Sequence, residues 1–242
     1  MNSEGYFTTN DFDQYHAALD EVESYIKSML YRFCSVNSIG VMSSRRIKEE
    51  KSIISKIFRK KKKNSNVDIK TEISDIAGLR IVFCDSDFAC KLGDLDKQIH
   101  GFKDKKEVFK EKFFFASHVD NNCNIKAVYD FVDFLKKDDS YNIIREKDYI
   151  SEPKKSGYQS YHINIKASNG CCVEIQIRNY VQHLFAEFEH DVRYKADEVT
   201  KQQCSAVCDE CASMLYYISE SNKPMPMDSG IAGFQKIMLP KK

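Results

Sequence analysis

Two runs flanking Asn169-Gly170, YHINIKAS and CCVEIQIR, alternate apolar and polar side chains almost residue by residue. A period of two is the signature of a half-buried β-strand, and an Asn-Gly pair between two such runs signals a hairpin. A two-residue loop would set Asn164 opposite Ile175 and mix polar with apolar side chains on both faces. A three-residue loop over 169 to 171 removes the conflict. It places His162 opposite Arg178, Asn164 opposite Gln176 and Lys166 opposite Glu174, and points Ile163, Ile165, Val173, Ile175 and Ile177 to the core. Alternation alone fits a face left in water. Just upstream, however, Lys154, Lys155, Ser156, Gly157 and Tyr158 combine cations, a flexible glycine and an aromatic ring, which suits holding a phosphate and stacking a base.

The rest of the chain divides by periodicity. Phe12, Tyr15, Leu19, Val22, Ile26, Met29, Leu30 and Phe33 recur at three- and four-residue steps and predict an amphipathic helix over 11 to 35. After the break at Ser38 and Gly40, a second helix is expected over about 44 to 62. LRIVFC, 79 to 84, reads as a buried strand. A mixed helical region is expected over 86 to 100, 101 to 126 carries no assignable pattern, and 127 to 137 reads as a helix. Strands are expected at 142 to 146, 161 to 168 and 171 to 178, and a long helix over 180 to 219. Three of the four prolines fall in the last 19 residues, so 220 to 242 reads as a tail behind one domain spanning 1 to 219.

With 242 residues, 42% of them hydrophobic, the chain can bury one sizeable core. Its 37 basic and 36 acidic residues leave a formal charge of +1, so no global field points to nucleic acid or to a membrane. The N-terminal residues lack a basic segment followed by an apolar one, and no stretch nears a membrane-spanning length. Nine cysteines then read as thiols in a reducing cytoplasm. Cys204, Cys208 and Cys211 have the spacing of an iron–sulfur motif, but their helical steps, continued by Leu215, favour a packed apolar stripe.

Two further constellations carry chemistry. Lys48, Ser52, Lys56 and Arg59 fall within one stripe of the expected second helix, opposite Ile47, Ile53, Ile54 and Ile57. Such a stripe is more often a solvated face; in its functional form, three cations and a hydroxyl in line suit a polyphosphate. Asp75 precedes the small-residue turn Ala77-Gly78, with Arg80 opening the strand. A carboxylate there is commonly a turn cap, and it is also where a phosphoryl-transfer site holds Mg2+. Glu174 offers a second hard oxygen ligand.

Read together and in order, RRIKEEKSIISKIFRKK, DIAGLRIVF, KDYI followed by EPKKSGYQSYHINI, VEIQIRN and EFEHDVRYK resemble the synthetase domain of the RelA/SpoT-type (p)ppGpp synthetases over residues 15 to 200. The resemblance is to the small, single-domain branch. It implies an α+β fold: a mixed, largely antiparallel sheet of about five strands flanked by helices, in a nucleotidyltransferase-like synthetase domain. It also implies Mg2+-dependent transfer of the β,γ-pyrophosphate of ATP to the 3′-hydroxyl of GDP or GTP, with release of AMP and no alarmone hydrolysis. In that family's terms Arg46 and Arg80 sandwich adenine, and Lys48, Ser52, Lys56 and Arg59 hold the ATP phosphates. Asp75 and Glu174 bind Mg2+, with Glu174 the base for the 3′-hydroxyl.

On the acceptor side the resemblance implies that Tyr158 stacks on guanine, that Lys147 and Lys154 meet acceptor phosphates, and that His162 and Gln176 position the acceptor. It further implies a homotetramer. Lys155 stands where the family often has proline, which leaves the choice among GMP, GDP and GTP open. Asn179 and Phe185 replace a frequent Thr and Trp. The basic run from Arg59 to Lys63 leaves RNA contact open, and with it two other readings: a toxic relative that pyrophosphorylates the tRNA 3′ end or adenosine nucleotides, and an inactive RNA-binding regulatory module.

Overall fold

The computed structural model describes residues 7–37, 39–64, 66, 68–84, 125–191, 198–199, 201–202, 205, 208–209, 211–213 and 215. In chain order the elements are α1 (Thr9–Asn37), β1 (Gly40–Ile47), α2 (Glu50–Lys61), α3 (Ile69–Glu72), β2 (Ala77–Cys84), α4 (Ile125–Lys136), β3 (Asn142–Asp148), β4 (Tyr161–Lys166), β5 (Cys172–Asn179) and α5 (Tyr180–His190). The regions expected over 86 to 100 and 101 to 124, the tail from 220 and Cys204 lie outside the described residues. Beyond α5, the described residues from 198 to 215 are helical, in keeping with the expected last helix.

The strands form one mixed sheet in the order β1-β2-β5-β4-β3. Every pairing is antiparallel except β2 with β5, so the expected fold class holds, and the one parallel step fixes the centre of the sheet. One face is apolar: Leu79, Ile81 and Phe83 of β2, Ile163 and Ile165 of β4, and Val173, Ile175 and Ile177 of β5 are all buried in the core. Helix α1 covers it with the predicted stripe, since Tyr15, Leu19, Val22, Ile26, Met29, Leu30 and Phe33 are all buried. Helix α4 packs beside α1, where the Phe33 and Phe131 rings meet at 5.2 Å between centroids.

Two sequence expectations are corrected. The helix expected from 44 begins only at Glu50; Gly40–Ile47 is an edge strand paired antiparallel with the whole of β2. The partner strand supplies the pairing that overrides local propensity, and the exposed run Ser43 to Arg46 suits a sheet edge. Lys48 therefore lies in the link between β1 and α2, its N–H donating to the Ile76 carbonyl at 2.9 Å, and only Ser52, Lys56 and Arg59 ride on α2.

The hairpin has the predicted faces but a different register. His162 pairs with Gln176, Asn164 with Glu174 and Lys166 with Cys172. The three-residue loop is 168 to 170, closed by Ala167 N–H on the Cys171 carbonyl at 2.9 Å and by Gly170 N–H on the Ala167 carbonyl at 2.9 Å. Gly170 has φ of 85°, so it is the left-handed residue of the three-residue loop and stands last in it. Asn169 locks the turn, its side chain accepting from Cys171 N at 3.0 Å and donating to the Gln14 carbonyl at 2.7 Å.

Candidate active site

The other face of the sheet is polar, and its register lines up residues from all five strands. One row of cross-strand neighbours runs Ser44, Arg80, Gln176, His162, Lys147; the next runs Arg46, Gly78, Glu174, Asn164, Arg145. Seven of the residues singled out in the sequence, Arg46, Arg80, Lys147, His162, Glu174, Gln176 and the neighbouring Tyr158, therefore gather on or beside this face. The corrected register matters here: it is the pairing of His162 with Gln176 that puts Arg80 and Lys147 in their row.

Asp75 sits in the turn between α3 and β2. Its two carboxylate oxygens accept from Lys48 and Lys56, one each. Burial pushes the Asp75 carboxyl up, but the hydrogen bonds and charges of the two lysines outweigh it and hold the group below its usual range. Ile53 and Ile57 are fully buried and fix the face of α2 that delivers Lys56. Of the expected stripe, Lys48 and Lys56 are thus brought together on Asp75, with Lys48 coming from a link and not from the helix. Ser52 and Arg59 are exposed on α2 and Arg46 is exposed on β1, so the pattern leaves these three facing solvent beside the lysine pair.

Glu174 is held differently. Its Oε2 accepts from Gln176 Nε2 at 2.9 Å, and its Oε1 lies 3.3 Å from His162 Nδ1. Burial again pushes the carboxyl up, and His162 and Gln176 together bring it below its usual range, with the Asp75 charge opposing them. The Asp75 charge thus reaches Glu174 as the smallest of these influences.

The rim is aromatic. Tyr158 Oη lies 2.9 Å from His162 Nε2, and burial pushes its hydroxyl up while the Arg178 charge opposes the shift. The Lys154 ammonium lies 4.3 Å from the Tyr158 ring centroid and 4.7 Å from that of Tyr149; the Lys147 ammonium lies 5.8 Å from Tyr149. Gly157, with φ of 82°, turns the loop against the C-terminal helical segment, where a Cβ would meet Ala212 Cβ at 2.2 Å. Asp148 holds the start of this loop by accepting from Ile150 N at 2.8 Å, Ser151 N at 3.0 Å and Tyr129 Oη at 2.9 Å.

Several participants were not singled out from the sequence. Tyr149 lies against both Lys147 and Lys154; an aromatic two residues from Lys147 was the available signal. Asn164, 3% exposed, donates to the Ser74 carbonyl at 3.3 Å and so ties the Asp75 turn to the strand opposite Glu174. Arg178, 1% exposed, shares the strand parity of Glu174 and Gln176; that parity put it on the polar face in the sequence but gave it no role. Arg80 pairs with Glu187 at 2.8 Å, a contact that no local pattern announces. Cys208, Cys211 and Leu215 are buried, which fits the apolar stripe, and the described residues contain no cluster of metal-ligating side chains of three or more.

A mixed sheet with two lysines on the carboxylate of the turn before β2, a second carboxylate at its centre and a basic, aromatic rim has the fold of the alarmone synthetases. The chain belongs to the RelA/SpoT family: the model of the "Region found in RelA / SpoT proteins" matches residues 45–199. It is 26% identical over 220 residues to the GTP pyrophosphokinase YwaC of Bacillus subtilis, covering 87% of this chain and 86% of that protein. It is 27% identical over 190 residues to the GTP pyrophosphokinase YjbM of the same organism, covering 75% and 70%. The fold matches the small alarmone synthetase 2 of B. subtilis with a TM-score of 0.57 at 23% identity, over 95% of this chain and 99% of that one. It also matches the small alarmone synthetase 1 of B. subtilis bound to its product pppGpp, with a TM-score of 0.53 at 24% identity, over 92% and 94%.

Proposed function

We propose that this chain is a (p)ppGpp synthetase that transfers the β,γ-pyrophosphate of ATP to the 3′-hydroxyl of GDP or GTP and releases AMP. The observation that carries this reading is the pair of carboxylates on one polar face, Asp75 gripped by Lys48 and Lys56 and Glu174 gripped by His162 and Gln176. Family membership and the names of the curated relatives point the same way.

On this reading Lys48, Ser52, Lys56 and Arg59 bind the ATP phosphates as charge-assisted donors, and Arg46 and Arg80 hold the adenine. Tyr158 stacks on guanine, Lys147 and Lys154 meet the acceptor phosphates, and His162 and Gln176 orient the acceptor ribose. Glu174, ionised at neutral pH, takes the 3′-hydroxyl proton as the O3′–Pβ bond forms, and the Pβ–O bond to the α-phosphate breaks with its electron pair leaving on AMP. Two carboxylates and few other hard ligands fit Mg2+, which Asp75 and Glu174 would hold and which supplies charge neutralisation on the phosphoryl oxygens. Most of the rate then comes from positioning and electrostatics. A cytoplasmic homotetramer completes the reading, and light scattering on purified protein tests the assembly.

Acceptor competition tests the function. With γ-labelled ATP and Mg2+ present, GMP, GDP, GTP, ADP and tRNA are offered together, and the 3′-pyrophosphorylated products are separated by chromatography. Guanosine nucleotides should carry the product; label appearing on tRNA or ADP instead would contradict the reading.

A further inference from the structure

Helix α5 presents His183 and Glu187 one turn apart, and both meet one buried side chain. Arg178 Nη2 lies 2.9 Å from His183 Nδ1 and 3.6 Å from Glu187 Oε1. The same Glu187 oxygen lies 2.8 Å from Arg80 Nη1. Burial pushes the Arg178 guanidinium down to about 10, with the neighbouring Arg80 charge adding to the shift while Tyr158 and Glu187 oppose it. Two guanidinium groups thus stand close enough to repel, and one carboxylate oxygen bridges them. The Nε atoms of both arginines are buried with no hydrogen-bond partner; His183 and Tyr158 also hold Arg178, whereas Arg80 relies on its ion pair with Glu187.

The exposures show which way the arrangement works. Arg178 is 1% exposed, Arg80 27% and Glu187 52%. A half-exposed glutamate is too well solvated to contribute much to stability. Its side chain and that of Arg80 both have many rotamers to lose, and an arginine already held in a fixed plane binds a flat partner at lower entropic cost. Arg178, immobile in the sheet, supplies the fixed point from which that order can extend outward.

We propose that Glu187 is a positioning residue for the donor nucleotide: anchored by Arg178, its carboxylate sets the plane of the Arg80 guanidinium that receives the adenine of ATP. The inference rests on the reading of Arg80 as an adenine contact, and the test separates the two.

Steady-state kinetics at saturating acceptor compare wild type, Glu187→Gln, Arg80→Ala and the double variant. Glu187→Gln should raise the KM for ATP roughly fivefold, leave kcat within about twofold and leave the acceptor KM unchanged. In the Arg80→Ala background the same change should add nothing, because the interaction it removes is already gone. An unchanged ATP KM in Glu187→Gln beside a raised one in Arg80→Ala overturns the inference alone, and so do additive effects in the double variant. Equal rises in both substrates' KM with a lowered Tm show Glu187 holding the fold, and also overturn it. An unaltered ATP KM in Arg80→Ala overturns the adenine reading and this inference with it. Glu187→Asp, which keeps the charge, should recover part of the lost ATP affinity, and no recovery counts against the proposal.

Discussion

Asp75 and Glu174 carry similar charges in unlike surroundings, and the difference sets what their removal does. Asp75 neutralises two lysines, so Asp75→Asn leaves Lys48 and Lys56 facing an amide, whereas Glu174→Gln leaves Gln176 and His162 facing one. Each substitution removes a proposed metal-binding charge, and each should lower turnover by roughly 10³-fold with the far-UV circular dichroism unchanged. Near wild-type turnover in either would remove that residue from the metal pair. Tyr158 has two parts that separate cleanly. Tyr158→Ala should raise the acceptor KM about tenfold with the ATP KM unchanged, since the ring is the proposed stacking surface. Tyr158→Phe keeps the ring and loses the hydroxyl's contacts with His162 Nε2, Ser160 and Arg178, so its rise should be smaller. These residues were legible in the sequence because each lay in a motif or on a strand parity. Arg80's tie to Glu187 was not, since it joins a strand to a helix more than a hundred residues later.

Elements were legible where one period ran uninterrupted. The face of α1 and both faces of the hairpin emerge from spacing alone, because burial on one side imposes the period. The register of the hairpin does not. It depends on which loop residue takes the left-handed conformation, and Gly170 at the end of the loop, instead of its middle, moves every partner of β4 by two residues along β5 while keeping each side chain on its face. Strand β1 was illegible because Ser43 to Arg46 carry no apolar alternation; its pairing with β2 is a tertiary choice. Gly170→Ala should therefore cost about 1 kcal/mol in urea unfolding, the price of a left-handed non-glycine residue. Gly157→Ala should cost more and also raise the acceptor KM, because its Cβ collides with Ala212 in the loop that carries Lys154 and Tyr158. Asn179 caps α5, accepting from Gln182 N while the Gln182 side chain accepts from Asn179 N, and Asn179→Ala should cost about 1 kcal/mol.

The whole molecule joins two faces of one sheet: an apolar face that α1 and α4 bury, and a polar face on which substrates would meet. Carboxyls on and around that second face tie stability to pH. Asp75, Asp148 and Glu174 are all held below their ordinary values, Asp148 because hydrogen bonds from Ser151, Ile150 and Tyr129 outweigh its burial. A carboxyl lowered in the folded state contributes stability that is fully present above its unfolded pKa and is lost as pH falls through the folded value. The ligand-free protein should thus lose unfolding free energy from about pH 4.5 downward, and Asp148→Asn should flatten part of that loss; an identical acid profile in the variant would remove Asp148 from the cause. Isotopic labelling reads directly whether two phosphoryl groups move as a unit. With ATP labelled at the γ-phosphate, Mg2+ and GDP, AMP and a labelled 3′-pyrophosphorylated guanosine nucleotide should form in equal amounts; ADP with released labelled phosphate, and no labelled guanosine product, would contradict a pyrophosphoryl transfer.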